Sequence, residues 1–316
     1  MSMRRKVLVN AGEEWPADLI AELSEHAEVI KYGTATVEDL RDAEVLVTLY
    51  LSPDDLKLMH NLKFIQVLSA GVDHLNWSVI PEDVMVCTNA GSNAEPVAEH
   101  AMALLLAAAK RVTFYDSKCK SGDFSRPLRT ALLKGSTLTV LGLGPIGLKV
   151  AEHARSMGMK VRGYVRRPRS YPSVDELFLH PDIAGALRGA EAGVVALPLN
   201  KHTRGLIDYE ALSSMKRNGI LVNVARGPIV VKEDLMRFLN ENPDFVYATD
   251  VWWNTQDLSK DWDIAFLPNV ISTPWVAGAF GNPAVFGEMV RSALLNVLRY
   301  LRGDETLNRV DRSDYV

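Results

Sequence analysis

The sequence predicts an α/β protein of two domains, both built on parallel sheets. Three observations carry this. A chain of 316 residues is long enough for two cores. Short apolar runs alternate with helical patterns along most of it, as buried parallel strands and their crossovers do. A glycine-spaced turn, Gly142-Leu143-Gly144-Pro145-Ile146-Gly147, lies between one such run and a helix.

In order, Lys6–Val9 reads as a strand and Ala17–Ser24 as a helix, followed by strands at Val29–Lys31, Val45–Thr48, Phe64–Leu68 and Val84–Cys87. One long helix is expected from Val97 to about Lys120, apolar nearly all round at first and therefore buried between domains or subunits. Thr137–Leu141 is the strand before the glycine turn, a helical pattern runs on through Met157, and Lys160–Val165 is the next strand. Strands follow at Gly193–Leu197, Ile220–Val224, Val246–Asp250 and Val270–Ser272, with helices at Tyr209–Met215 and Lys232–Leu239. The last helix, Pro283–Leu301, sets Val290, Leu294, Val297 and Leu301 on one face. The second set of strands ends near residue 280, so this helix is expected to return to the first domain. That gives domains 1–96 plus 281–316 and 97–280, two crossings, and a cleft where ligands meet the carboxyl ends of strands.

Composition narrows the function. Apolar residues make up 47%, enough for a sizeable core, and the net charge of −4 argues against a nucleic-acid binder. The opening MSMRRKVLVN leads from basic residues into a strand without a signal peptide's apolar core. No stretch is long and apolar enough for a membrane span. Cys87 and Cys119 are too few for a disulfide scaffold, which points to a reducing, cytoplasmic location. No Cys/His cluster has metal-ligand spacing, so no metal is expected.

The glycine turn carries the chemistry. Gly142 permits the tight turn, Gly144 lets backbone approach a pyrophosphate, and Gly147 lets helix and strand pack closely. Pro145 suits the first helical turn, and the free N–H groups there favour phosphate. The following strand ends Val165-Arg166-Arg167. Val165 stands where an acid would hold the ribose 2′-hydroxyl of NAD, and two guanidinium groups follow, so NADP(H) is expected over NAD(H).

Ser69-Ala70-Gly71-Val72-Asp73, Asn93 with Val97-Ala98-Glu99-His100, the glycine turn, Leu197-Pro198-Leu199, Asn223-Val224-Ala225-Arg226-Gly227, Asp250-Val251 and Thr273-Pro274 together resemble the D-isomer-specific 2-hydroxyacid dehydrogenases. The resemblance covers essentially the whole chain. It implies a Rossmann-type NAD(P)-binding domain inserted into a flavodoxin-like substrate domain. It implies hydride transfer at C2 between a small 2-oxo and a 2-hydroxy acid, and a homodimer built on the long helix and the Gly122–Lys134 arm. Arg226, just past a strand end, would bind the substrate carboxylate and polarise its carbonyl. The Ala70–Val72 turn (Ala70, Gly71, Val72) would offer amides to the carboxylate. Asn93 would bond substrate oxygens or cap the long helix. Asp250 resembles the residue that holds the nicotinamide carboxamide, and Gly142, Gly144, Pro145, Ile146, Gly147, Arg166, Arg167, Leu197, Pro198, Thr203, Val224 and Ala225 complete the expected cofactor contacts.

Two departures stand out. The family's catalytic histidine follows Thr-Pro, where this chain has Trp275, and the last histidine in the chain is His202. The partner glutamate is expected at Thr255, and no glutamate lies between Glu241 and Glu288. Indole donates a hydrogen bond but does not exchange a proton near neutrality. A positioned acid contributes about 10²–10⁴-fold. Candidate substitutes are Tyr50, His74, His100, Lys260 or water. Trp275 would border both substrate and cofactor. The expected function is an NADP(H)-dependent oxidoreductase with an altered acid. The alternatives are a non-catalytic NADP(H)-binding sensor or scaffold, and hydride abstraction from formate.

Overall fold

The structure is a computed structural model describing residues 4–279 and 281–316; Met1–Met3 and the expected boundary at residue 280 fall outside the described residues. The chain divides into two compact units, one comprising the residues up to Asn93 with Asn282–Val316, the other Ala94–Gly281. Among the described residues no helix is long and apolar enough to cross a membrane.

The first unit holds β1 (Lys6–Val9), β2 (Glu28–Lys31), β3 (Ala43–Thr48), β4 (Phe64–Val67) and β5 (Met85–Cys87), paired in parallel in the order β2-β1-β3-β4-β5. That is the flavodoxin-like strand order. Side chains alternate between faces with the strand period of two. Val7, Val9, Val45 and Val47 point to one apolar layer, and Leu8, Leu46, Ile65 and Val67 to the other. Helices α1 (Ala17–His26), α2 (Val37–Asp42) and α3 (Pro53–Leu58) connect these strands. The closing helix, Pro283–Arg302, starts where the Asn282 side chain accepts from the Ala284 amide and stops at Gly303, whose φ of 79° few other residues adopt. Its expected face of Val290, Leu294, Val297 and Leu301 enters the same layer as Val7 and Phe64.

The second unit holds β6 (Thr137–Leu141), β7 (Lys160–Val165), β8 (Glu176–Leu179), β9 (Ala192–Val195), β10 (Ile220–Asn223), β11 (Val246–Thr249) and β12 (Val270–Ser272). They pair in parallel in the order β12-β11-β10-β9-β6-β7-β8. The chain runs outward from β6 to β8, then returns to β9 and runs the other way, so the strand order reverses between β6 and β9. Helices α4 (Ala94–Lys110), α5 (Val112–Lys120), α6 (Pro145–Ser156), α7 (Ile183–Leu187), α8 (Tyr209–Ser214), α9 (Lys232–Glu241) and α10 (Trp262–Ala265) complete it. Both sheet faces are covered. Leu138, Val140, Val194 and Val222 join one layer with residues of α4 and α6. Leu141, Val195, Leu221 and Tyr247 join another with residues of α7, α8 and α9. This double burial explains why the strands read as short continuous apolar runs.

Two expectations are corrected. The single helix expected from Val97 to about Lys120 is two helices, α4 and α5. Arg111 stands between them in the left-handed region at φ 53°, and its guanidinium donates to the Asp244 carbonyl at 2.7 Å. The strand β8 was not anticipated. It is the last strand of its sheet, no residue in it is buried, and its only apolar run is the three residues Leu177-Phe178-Leu179.

Candidate active site

In the second unit, strand register brings the expected residues to one edge. Leu141 pairs with Tyr164 and with Val195, Val195 with Asn223, Asn223 with Thr249, and Thr249 with Ser272. The loops that follow these residues therefore emerge side by side at the carboxyl ends of the strands, where ligands bind in such sheets.

The glycine loop has the shape a dinucleotide needs. Gly142 takes φ 98°, and a Cβ there would lie 2.8 Å from the Ala196 oxygen, so this turn rests on the loop after β9. A Cβ on Gly147 would lie 1.9 Å from the Gly142 oxygen, so helix α6 approaches the loop as only glycine allows. Gly144 differs: a Cβ there would meet nothing within 4 Å. Gly144 and Pro145 are exposed, Pro145 begins α6, and no side chain caps the helix. A pyrophosphate fits this open helix start, and Arg166 and Arg167 lie exposed directly past β7. Ile146 packs half-buried against the core.

The loop after β9 is tied to itself. Buried Thr203 donates from Oγ1 to the Pro198 carbonyl at 2.6 Å and accepts from the Asn200 amide at 3.0 Å. Leu197 is half-buried and Pro198 exposed.

Arg226 is presented by Asn223, which the sequence shows only as the first residue of the Asn223–Gly227 motif. Asn223 ends β10 fully buried; its Nδ2 donates to the Arg226 carbonyl at 3.0 Å and to Tyr247 Oη at 3.2 Å, and its Oδ1 accepts from the Ala225 amide at 3.0 Å. These bonds fold Val224 and Ala225 into the core and turn Arg226 outward, half-buried, with Nη1 donating to the Ala225 carbonyl at 2.8 Å. Burial raises the Tyr247 hydroxyl pKa to about 12. A Cβ on Gly227 would lie 2.4 Å from the Trp252 carbonyl carbon, which locks this loop to the one after β11.

Asp250 is buried, and three protein groups aim at its carboxylate. The Val276 amide and Thr273 Oγ1 donate to Oδ1 at 2.9 and 2.6 Å, and the Ala277 amide donates to Oδ2 at 2.9 Å. A carboxylate accepts about four such bonds, so about one position remains open. The Trp275 amide donates to the Asp250 carbonyl at 3.1 Å. The segment 273–277 thus wraps one acid, and Trp275 is held at φ 55°, unusual for a non-glycine residue. Its indole is half-buried against the apolar layer that contains Ala225 and Trp252.

His100 joins this network. Its Nε2 lies 2.9 Å from Thr273 Oγ1 and 3.6 Å from Asp250 Oδ1. Because the hydroxyl proton goes to Asp250, His100 Nε2–H is the donor to Thr273. The sequence signal for this chain was faint: an imidazole on α4 and a threonine far along the sequence, joined only by the fold.

In the first unit, the Ala70–Val72 turn follows β4. Ser69 Oγ donates to the Gly71 carbonyl at 2.6 Å, and the Val72 carbonyl accepts from the Leu75 amide at 3.2 Å and Trp77 Nε1 at 3.3 Å. Val72 is fully buried, and Ala70 and Gly71 are half-buried. Asn93 precedes α4, but its Oδ1 accepts no bond and is buried, so the capping role is not the one it plays. A buried acceptor without a partner costs about 1–3 kcal/mol and suits a ligand hydroxyl. Exposed Tyr50 and His74 meet edge to face at 5.7 Å, and His74 Nε2 donates to the Leu49 carbonyl at 2.8 Å.

Comparison with known proteins agrees with this geometry. Residues 102–277 match the family described as D-isomer specific 2-hydroxyacid dehydrogenase, NAD binding domain. A structure from Pyrobaculum aerophilum, provisionally named a formate dehydrogenase, is 40% identical with a TM-score of 0.88, over 99% of this chain and 100% of that one. A D-isomer specific 2-hydroxyacid dehydrogenase from Xanthobacter autotrophicus, solved with NADPH and MES, is 25% identical with a TM-score of 0.83, over 99% and 100% of the two chains. The D-3-phosphoglycerate dehydrogenase of Methanocaldococcus jannaschii is 31% identical over 86% of this chain, which spans 53% of that relative's length. With its glycine loop, its strand-end arginine and these matches, the chain belongs to the D-isomer specific 2-hydroxyacid dehydrogenase family.

Proposed function

We propose that this protein transfers hydride between NADP(H) and C2 of a small 2-oxo or 2-hydroxy acid, with Arg226 holding the substrate carboxylate and Trp275 replacing the usual acid. The family is one of NAD(P)-dependent oxidoreductases, and a nicotinamide cofactor follows from it. The observation that carries the reading is the edge of the second sheet, where the open turn at Gly144 and the half-buried Arg226 follow strands separated only by β9. The bound nicotinamide supplies or accepts the hydride. Arg226 orients the acid and polarises the C2 substituent. Asp250 orders the 273–277 segment and keeps about one acceptor position for the carboxamide. Preference for NADP(H) rests on exposed Arg166 and Arg167 after a buried Val165, where no acid stands, and agrees with the NADPH-bound relative. A homodimer is supported by large apolar side chains in the 122–134 arm and on α5: Phe124 is 76%, Leu132 75% and Val112 52% exposed. Sedimentation as a monomer would remove that part.

Fluorescence titration tests the cofactor. NADPH binds more tightly than NADH, and replacing Arg166 and Arg167 by alanine weakens NADPH about tenfold or more while leaving NADH nearly unchanged. Tighter NADH binding overturns the preference. Steady-state NADPH oxidation with a panel of 2-oxo acids tests the reaction, and Arg226→Ala lowers it about 10²–10³-fold. No turnover above that control, with tight NADPH binding, makes the protein a sensor or scaffold. A second reading, hydride abstraction from formate, needs no proton at C2 and is favoured by the name of the 40% identical structure; NADP⁺-dependent formate oxidation would establish it.

A further inference from the structure

We propose that the group reduced here is the protonated imine of a 2-oxo acid, C=N⁺ beside a carboxylate, rather than the free ketone; the inference rests on the hydride-transfer reading above. The first argument is proton supply. The loops beside Arg226, residues 224–228, 250–256 and 273–277, contain one titratable side chain besides that arginine, Asp250. Its oxygens accept from two amides and a hydroxyl at 2.6–2.9 Å and so serve as acceptors. The Thr273 proton is given to Asp250, and His100 Nε2–H is given to Thr273. The indole N–H groups of Trp252 and Trp253 donate to the Thr273 and Val230 carbonyls at 3.2 and 2.8 Å. Guanidinium keeps its protons. None of these groups is arranged to hand a proton to an alkoxide.

The second argument is charge. An imidazolium at position 275 would stabilise a developing oxyanion. Trp275 puts an indole there instead, and the face of an indole ring repels an oxyanion and attracts a cation. Its backbone is fixed by the bond to the Asp250 carbonyl, and its ring is half-buried beside the layer that includes Ala225. An iminium acid is a zwitterion: its carboxylate suits Arg226 and its cationic nitrogen suits Trp275.

The step then balances without an enzyme acid. Hydride adds to C2, forming the C–H bond; the C=N π pair moves to nitrogen, which keeps the proton it brought. The substrate is reduced to a 2-amino acid and the dinucleotide is oxidised. The reaction that supplies the substrate is condensation of a 2-oxo acid with ammonia or a primary amine, with loss of water.

Two measurements test this. NADPH oxidation with pyruvate is followed with and without methylamine in mildly alkaline buffer. Independently of turnover, calorimetry compares N-methylalanine, a zwitterion, with lactate on the protein saturated with NADP⁺. Methylamine is expected to raise the rate at least about tenfold, and N-methylalanine to bind about tenfold tighter than lactate. Trp275→Phe keeps both differences, and Trp275→His diminishes both. Equal rates with and without amine, together with equal binding, overturn the proposal; if that ketone activity is then lost in His100→Gln, the acid resides on α4. Failure of the underlying reading looks different: no oxidation under either condition and no binding of either acid, which overturns both.

Discussion

The loop after β6 and the segment after β12 are both runs of backbone amides at strand ends, and they treat an anion in opposite ways. At Gly144 the helix start faces open space, with no side chain capping it. At Trp275–Ala277 the amides close on the protein's own carbonyl and carboxylate at Asp250. One is left for a ligand; the other is satisfied from within and becomes a rigid wall. Backbone geometry alone does not make a binding site. What decides is whether a side chain of the same chain already occupies it.

Three substitutions sharpen this contrast. The largest effect is expected for Gly147→Ala, whose methyl would lie 1.9 Å from the Gly142 oxygen; backbone on both sides cannot yield, so a stability loss of about 3 kcal/mol is expected in chemical denaturation. A wild-type midpoint would mean that loop and helix are not in close contact. Next is Asp250→Asn, which turns an NH₂ toward at least one amide donor. A loss of about 2 kcal/mol is expected, with faster hydrogen exchange at the 275–277 amides. Unchanged protection would show that the segment does not depend on the acid. The smallest effect on the fold is expected for Gly144→Ala. Its φ of −73° suits alanine, so stability should stay the same or rise by about 0.5 kcal/mol. The same methyl would stand where pyrophosphate approaches, and NADPH affinity should fall about tenfold in titration. Loss of folding without a specific binding defect would reverse the assignment of the two loops.

Much of this was legible in the residues because local rules act there. The close approaches at Gly142 and Gly147 follow from spacing between a strand and a helix, and most buried strands are readable as apolar runs. The closing helix was readable from Val290 through Leu301 at helical period. What escaped the reading depends on contacts distant in sequence. The break at Arg111 is fixed in part by a carbonyl at Asp244. The half-exposed β8 offers only Leu177-Phe178-Leu179, and its place is set by pairing with β7. Asn223, Thr273 and His100 are unremarkable polar residues until strand register brings their partners near. Asp250 was readable as a strand-end acid, but not as the acid around which 273–277 folds.

Because Asn223 closes β10 and suspends the turn that carries Arg226, the guanidinium inherits the stiffness of the whole sheet. Its stance is then governed by cross-strand register and by the phenol of Tyr247 on the neighbouring strand. A trimmed or enlarged ring at Tyr247, well inside the core, becomes a remote dial on how the Arg226 guanidinium is held.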